Sequence, residues 1–101
     1  MLIKIAAVTH AMKHTLVSIS LSPEGMVKIK ATPELQQAET RFTNDWKEQG
    51  ILESFFITTN RTGAFLLFTG VDGERTKDLI EGLPYFPFMA TVEYFELDKQ
   101  F

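Results

Sequence analysis

The chain has 101 residues, of which 45% are hydrophobic and 23% charged, with a net charge of -3 and no cysteine. That length predicts one domain over residues 1–101, with a single core and little spare stability. The composition argues against intrinsic disorder, the acidic balance and lack of a Lys/Arg run argue against nucleic acid, and the missing cysteines exclude disulfide and thiol chemistry.

The first twenty residues are apolar but interrupted by Lys4, His10, Lys13 and His14. No basic segment precedes a clean apolar run, and no stretch reaches the ~18 apolar residues of a membrane span, so neither a signal peptide nor a membrane partner is expected. A cytoplasmic protein is the default. LIKIAAVT (residues 2–9) and TLVSISL (residues 15–21) read as strands. In the second, Val17, Ile19 and Leu21 share one face, and Ser18 and Ser20 the other. The short link HAMKH suggests an antiparallel pair, and SPEG then punctuates the chain.

A helix follows, with Thr32 as N-cap, Pro33 at its first position and Glu34 at the positive end of the dipole. Leu35, Ala38, Phe42 and Trp46 form its apolar stripe, and Gly50 is suited to end it with φ > 0. SFFITT and AFLLFTG read as strands joined by NRTG, where Gly63 offers the turn a positive φ. A second helix starts at Asp72, buries Leu79, Ile80 and Leu83, and stops at Pro84 and Pro87. ATVEYFEL closes the chain as a last strand. Without residues 2–9 the order is βαββαβ, the ferredoxin-like split βαβ arrangement, so the fold expected is α+β with an extra N-terminal strand.

In that fold both helices cover one sheet face and the other meets water. Here AFLLF and FFI are apolar at successive positions, hence on both faces. An apolar patch of that size calls for a second layer. A second copy packed sheet to sheet about a two-fold axis is the simplest source, and the strand at 2–9 is the alternative. Cavities between each sheet and its helices, or between subunits, would suit a small apolar or weakly acidic ligand.

Few residues carry a chemical signal. His10 and His14 are four apart, but they lie in strand and turn without a third ligand, so a solvated loop competes with a metal site. Glu39 falls about 55° from the centre of the helical stripe, on the sheet-facing edge. It is either a buried general acid or base, or a rim carboxylate paired with a cation. Arg61 and Arg75 could meet an anion or be solvated. No P-loop, GxGxxG or HExxH occurs.

The run Leu83-Pro84-Tyr85-Phe86-Pro87-Phe88-Met89, with Lys30-Ala31-Thr32, Glu39 and Gly50, resembles the muconolactone Δ-isomerase family over about residues 18–97. The run resembles that family's L-P-x-F-P-aromatic-M after the second helix. The resemblance implies βαββαβ subunits paired as dimeric α+β barrels, and proton transfer within a small unsaturated lactone acid without cofactor or metal. It makes Glu39 the candidate catalytic residue, with Phe42, Trp46, Tyr85 and Phe86 shaping the pocket. LESFFIT lacks the Trp, Arg and His that the family's enzymes carry there, and Ala90-Thr91-Val92 stands where an acidic pair usually follows. The competing reading is a non-catalytic oligomeric ligand-binding or assembly module on the same barrel.

Overall fold

A computed structural model describes residues 13–101. Four strands form one antiparallel sheet: β1 (His14–Leu21), β2 (Leu52–Ile57), β3 (Gly63–Thr69) and β4 (Met89–Leu97). Their order is β2-β3-β1-β4. Among the described residues three α-helices accompany the sheet: α1 (Pro23–Lys30), α2 (Pro33–Glu48) and α3 (Gly73–Glu81). This is the ferredoxin-like α+β arrangement expected from the order of elements. The strand expected at 2–9 and its pairing with residues 15–21 lie outside the described residues. β1 itself has both edges hydrogen-bonded, one to β3 and one to β4.

The helix α1 corrects the reading of SPEG as a simple break. Ser22 is an N-cap whose hydroxyl accepts from the Gly25 N–H at 2.9 Å. Pro23 takes the first helical position and Glu24 the first turn, so the four residues start a helix. Gly25 is there for space. A Cβ on it would lie 2.6 Å from Cβ of Phe88. Thr32 does precede α2, but its hydroxyl donates back to the Lys28 carbonyl and caps nothing ahead. At the other end Gly50 has φ 79, and the Ile51 N–H folds back to Trp46 O at 3.1 Å. That is the Schellman closure expected of a glycine there.

The NRTG turn also differs from expectation. Arg61, with φ 64, holds the left-handed position, while Gly63 has no positive φ. Gly63 instead lets two strands meet, because a Cβ would fall 2.3 Å from the carbonyl oxygen of Ile19 on β1. Asp72 caps α3 as expected, accepting from the Arg75 N–H at 2.8 Å.

The register assigns the sheet's two faces. Val17 lies opposite Leu66 and Tyr94, and Thr15 opposite Phe68. These residues look toward the helices, where Trp46 from α2 and Ile80 from α3 complete a core with Ile19, Leu52 and Leu83. Trp46 meets Phe68 edge to face at 5.3 Å between ring centroids. Leu16, Leu67 and Phe95 pair across the other face, as do Phe65 and Phe56. Phe56, Phe65, Phe95 and Leu97 are exposed there. No helix among the described residues is long and apolar enough to cross a membrane.

Candidate functional site

On the helix-covered side the packing is uneven. Toward the C-terminal half of α2 the core is closed by Trp46. Toward its N-terminal half the helix stands off the sheet, and a cavity of about 370 Å³ opens between them. Its floor is apolar: Ile19 and Leu21 of β1, Ala64 and Leu66 of β3, with Leu83 and Met89 behind. Phe55 and Ile57 of the edge strand β2 form a half-open rim. The polar groups come from few places. Gln36, Glu39 and Thr43 project from one side of α2, while Lys30 and Arg61 approach from the end of α1 and from the β2–β3 turn.

Glu39 is the chemically distinctive member. Burial among these apolar walls pushes its carboxyl up to about 7, against the smaller opposing effect of a hydrogen bond from the Tyr85 N–H. That N–H donates to Oε1 at 2.9 Å. The local sequence explains the bond. Pro84 and Pro87 bring no N–H, and Leu83, Phe86, Phe88 and Met89 donate to backbone carbonyls within the turn. Tyr85 alone in this run finds its acceptor on another element, and Glu39 supplies it. The Tyr85 phenol feels this carboxylate electrostatically. Burial first, and the Glu39 charge second, push its pKa above the ordinary tyrosine value, so it remains a proton donor.

Of the other residues singled out in the sequence, Tyr85 lines the cavity and three do not. Trp46 is buried in the core against Phe68. Phe42 is 40% exposed and packs its edge on Trp46 at 6.2 Å. Phe86 is half-buried against the core cluster. The cause is the rotation of α2. Its inward line runs Gln36, Glu39, Thr43 and Trp46, and only the last is apolar, because the first three face empty space and not packed sheet. Gln36, Thr43, Lys30 and Arg61 are additional lining residues. Thr43 and Gln36 carry a signal in hindsight, standing at +4 and -3 from Glu39 on the helix. Arg61, one of the two arginines that could meet an anion, lines the cavity, whereas Arg75 does not; Lys30 carries no such signal in local sequence.

At the far end of the sheet, on the uncovered face, a second polar group stands apart from the cavity. His14 is buried at 5% exposure, and its Nε2 lies 3.2 Å from Oε1 of Glu53. His14 Nδ1 and the Thr69 hydroxyl, cross-strand neighbours, are buried without hydrogen-bond partners among the described residues. His10, its companion in the sequence reading, lies outside the described residues. No group of three His, Asp or Glu side chains placed to hold a metal occurs among the described residues.

No family model and no curated protein matches the chain. A solved structure does: 5-chloro-2-hydroxyhydroquinone dehydrochlorinase (TftG) from Burkholderia phenoliruptrix AC1100, in complex with 2,5-dihydroxybenzoquinone. It superposes with a TM-score of 0.65 over 81% of this chain and 90% of that one, at 15% identity. The likeness is one of fold: a ferredoxin-like α+β subunit whose helices sit on one sheet face.

Proposed function

We propose that this protein is a muconolactone-isomerase-like small-molecule protein that moves a proton on a ring-sized, unsaturated organic acid or lactone without a cofactor. One observation carries the reading. A carboxyl that titrates near 7 stands in the wall of a mostly apolar cavity of about 370 Å³. A general acid–base works best when its pKa lies close to the operating pH, because both protonation states are then populated. Glu39 can take a proton from an acidic carbon and return it to another. Tyr85, which lines the same cavity and whose phenol is pushed toward its protonated form by burial and by the Glu39 charge, is suited to donate to an enolate oxygen as charge develops. The absence of Trp, Arg and His from LESFFIT fits this arrangement if proton transfer is concentrated in Glu39 and Tyr85. A protein of the same fold that bears the name of a chlorohydroquinone dehydrochlorinase and holds a dihydroxybenzoquinone supports a ligand of one ring.

A charged group in the cavity wall favours catalysis over the purely scaffolding alternative. An apolar barrel that only assembles has no use for a carboxyl that is costly to ionise. The working unit in this reading is a homodimer packed through the uncovered sheet face. The test is hydrogen exchange. Wild-type protein is incubated in D2O with small butenolide carboxylic acids, and deuterium uptake at the acidic carbon is followed by NMR. Wild type should accelerate uptake at neutral pH, and Glu39→Gln, which keeps an oxygen for the Tyr85 N–H, should lose about 100-fold or more of that rate. Equal rates in the two proteins would remove Glu39 from the chemistry.

A further inference from the structure

Resting on the small-molecule reading above, we propose that Arg61 is the specificity-determining anchor of the cavity, binding the carboxylate of the ligand at the mouth while the ring lies on the apolar floor.

The β2–β3 turn holds the Arg61 backbone in a hydrogen-bonded frame. Thr58 and Asn60 spend their polar atoms on the turn's own frame. The Thr58 hydroxyl accepts from the N–H groups of Thr62 and Gly63 at 3.2 and 3.0 Å and donates to Asn60 Oδ1 at 2.8 Å. Asn60 Oδ1 also accepts from the Thr62 hydroxyl at 2.8 Å. The Arg61 N–H is tied to Thr58 O at 2.8 Å, and the turn is pinned to β1 where Leu21 N–H donates to Thr62 O at 2.9 Å. In this frame the residue at φ 64 is an arginine. Left-handed backbone favours glycine or asparagine, and any other side chain there stores strain that persists only where the surroundings enforce it. Asn60 stands one residue before that position. The strained place therefore carries an arginine, an exposed residue that is among those lining the cavity mouth.

No hydrogen bond or ion pair among the described residues engages the guanidinium. The contact between His14 and Glu53 is at the opposite end of the sheet. Lys30 lines the same cavity as a second cation. A guanidinium fork matches a carboxylate in two parallel hydrogen bonds, which fixes orientation as well as charge. With the anion held at the turn, the rest of a one-ring ligand extends along Ile19 and Leu66 toward Glu39.

The strain makes the test clean. Arg61→Gly removes the anchor and relieves the backbone, so it should keep or raise the melting temperature. Binding is measured by NMR titration at pH 6, with benzoate as the anionic probe and benzamide as its neutral isostere. Wild type should prefer benzoate by about ten-fold or more, Arg61→Gly should lose that preference without weakening benzamide, and Arg61→Lys should restore part of it. Three results would overturn the proposal. Equal binding of the two probes by wild type would leave a small-molecule cavity without an anionic anchor. A lowered melting temperature in Arg61→Gly, with both probes weakened alike, would make Arg61 a structural residue. Binding of neither probe would remove the small-molecule reading itself.

Discussion

The two faces of the sheet are drawn from the same four strands and are both apolar, yet they do opposite things. On the helix face, Leu66 and Phe68 are almost fully buried. On the other, Phe65 from the same strand is 40% exposed and Phe56 beside it 64%. The helix face is closed where Trp46 and Ile80 descend and hollow where α2 carries Gln36, Glu39 and Thr43. The other face, as the described residues leave it, presents large exposed side chains. It is a broad patch of Leu16, Phe65, Leu67, Phe95 and Leu97 with one buried imidazole at its edge. The comparison teaches that apolar area alone does not mark a site. The cavity joins apolar walls to a few polar groups drawn from α1, α2 and the β2–β3 turn. The open face is equally apolar, its buried polar side chains stand at one end of the sheet, and a second copy of the chain is the partner proposed for it.

Neighbouring residues on β3 give the sharpest way to break this contrast. Leu66→Ala should cost about 2–4 kcal/mol, read as a lower denaturant midpoint with an unchanged slope, because it leaves a cavity in the packed core. Phe65→Ser, one position away, should leave the denaturation of dilute protein within about 0.5 kcal/mol of wild type. Its effect should appear in assembly. Wild type at tens of micromolar should scatter light as a dimer or larger species. Phe65→Ser should weaken association by about ten-fold or more, since a two-fold interface counts the lost ring twice. A monomeric wild type would leave the open face without the partner assigned to it. A destabilised Phe65→Ser monomer would mean that the two faces are less distinct than the register implies.

Much of the fold could be read before the structure was known, because the split βαβ order leaves few topologies open. What escaped has local causes. Ser22 and Pro23 are a helix start, but Gly25 and the short interval before Pro33 made them read as a turn. Gly63 suggests freedom of φ, whereas its missing Cβ is what matters, and the left-handed residue is Arg61. The stripe Leu35, Ala38, Phe42 and Trp46 is sound as periodicity, but α2 is rotated so that Glu39 and Thr43 face inward. Periodicity assumes that an inward face must be apolar, and that assumption fails where a helix roofs a void. Glu39 could be placed on the sheet-facing edge from its angle alone. Its bond to Tyr85, 46 positions away, and its company with Lys30 and Arg61 depend on how turns and helix ends meet in space.

The smallest effect tests the cost of keeping a carboxyl on the hollow side. Glu39 titrates near 7 when folded and near 4.5 when unfolded. Between those values the folded protein binds more protons, so stability falls as pH rises through that window. Below it both states are protonated and no penalty exists; above it both are ionised and the penalty is complete. Allowing for the partial solvent access of the carboxyl, its size is roughly 1–2 kcal/mol. Glu39→Gln cannot ionise and keeps an acceptor for Tyr85. It should therefore match wild type at pH 4 and exceed it in stability at pH 8, as measured by urea denaturation at both values. Glu39→Leu removes the acceptor as well, strands the Tyr85 N–H, and should lose about 1–3 kcal/mol relative to Glu39→Gln at either pH. Equal stability of the glutamine variant and wild type at pH 8 would show a carboxyl that is not strained by its surroundings. That result would undercut the contrast between a reactive hollow and an inert apolar face.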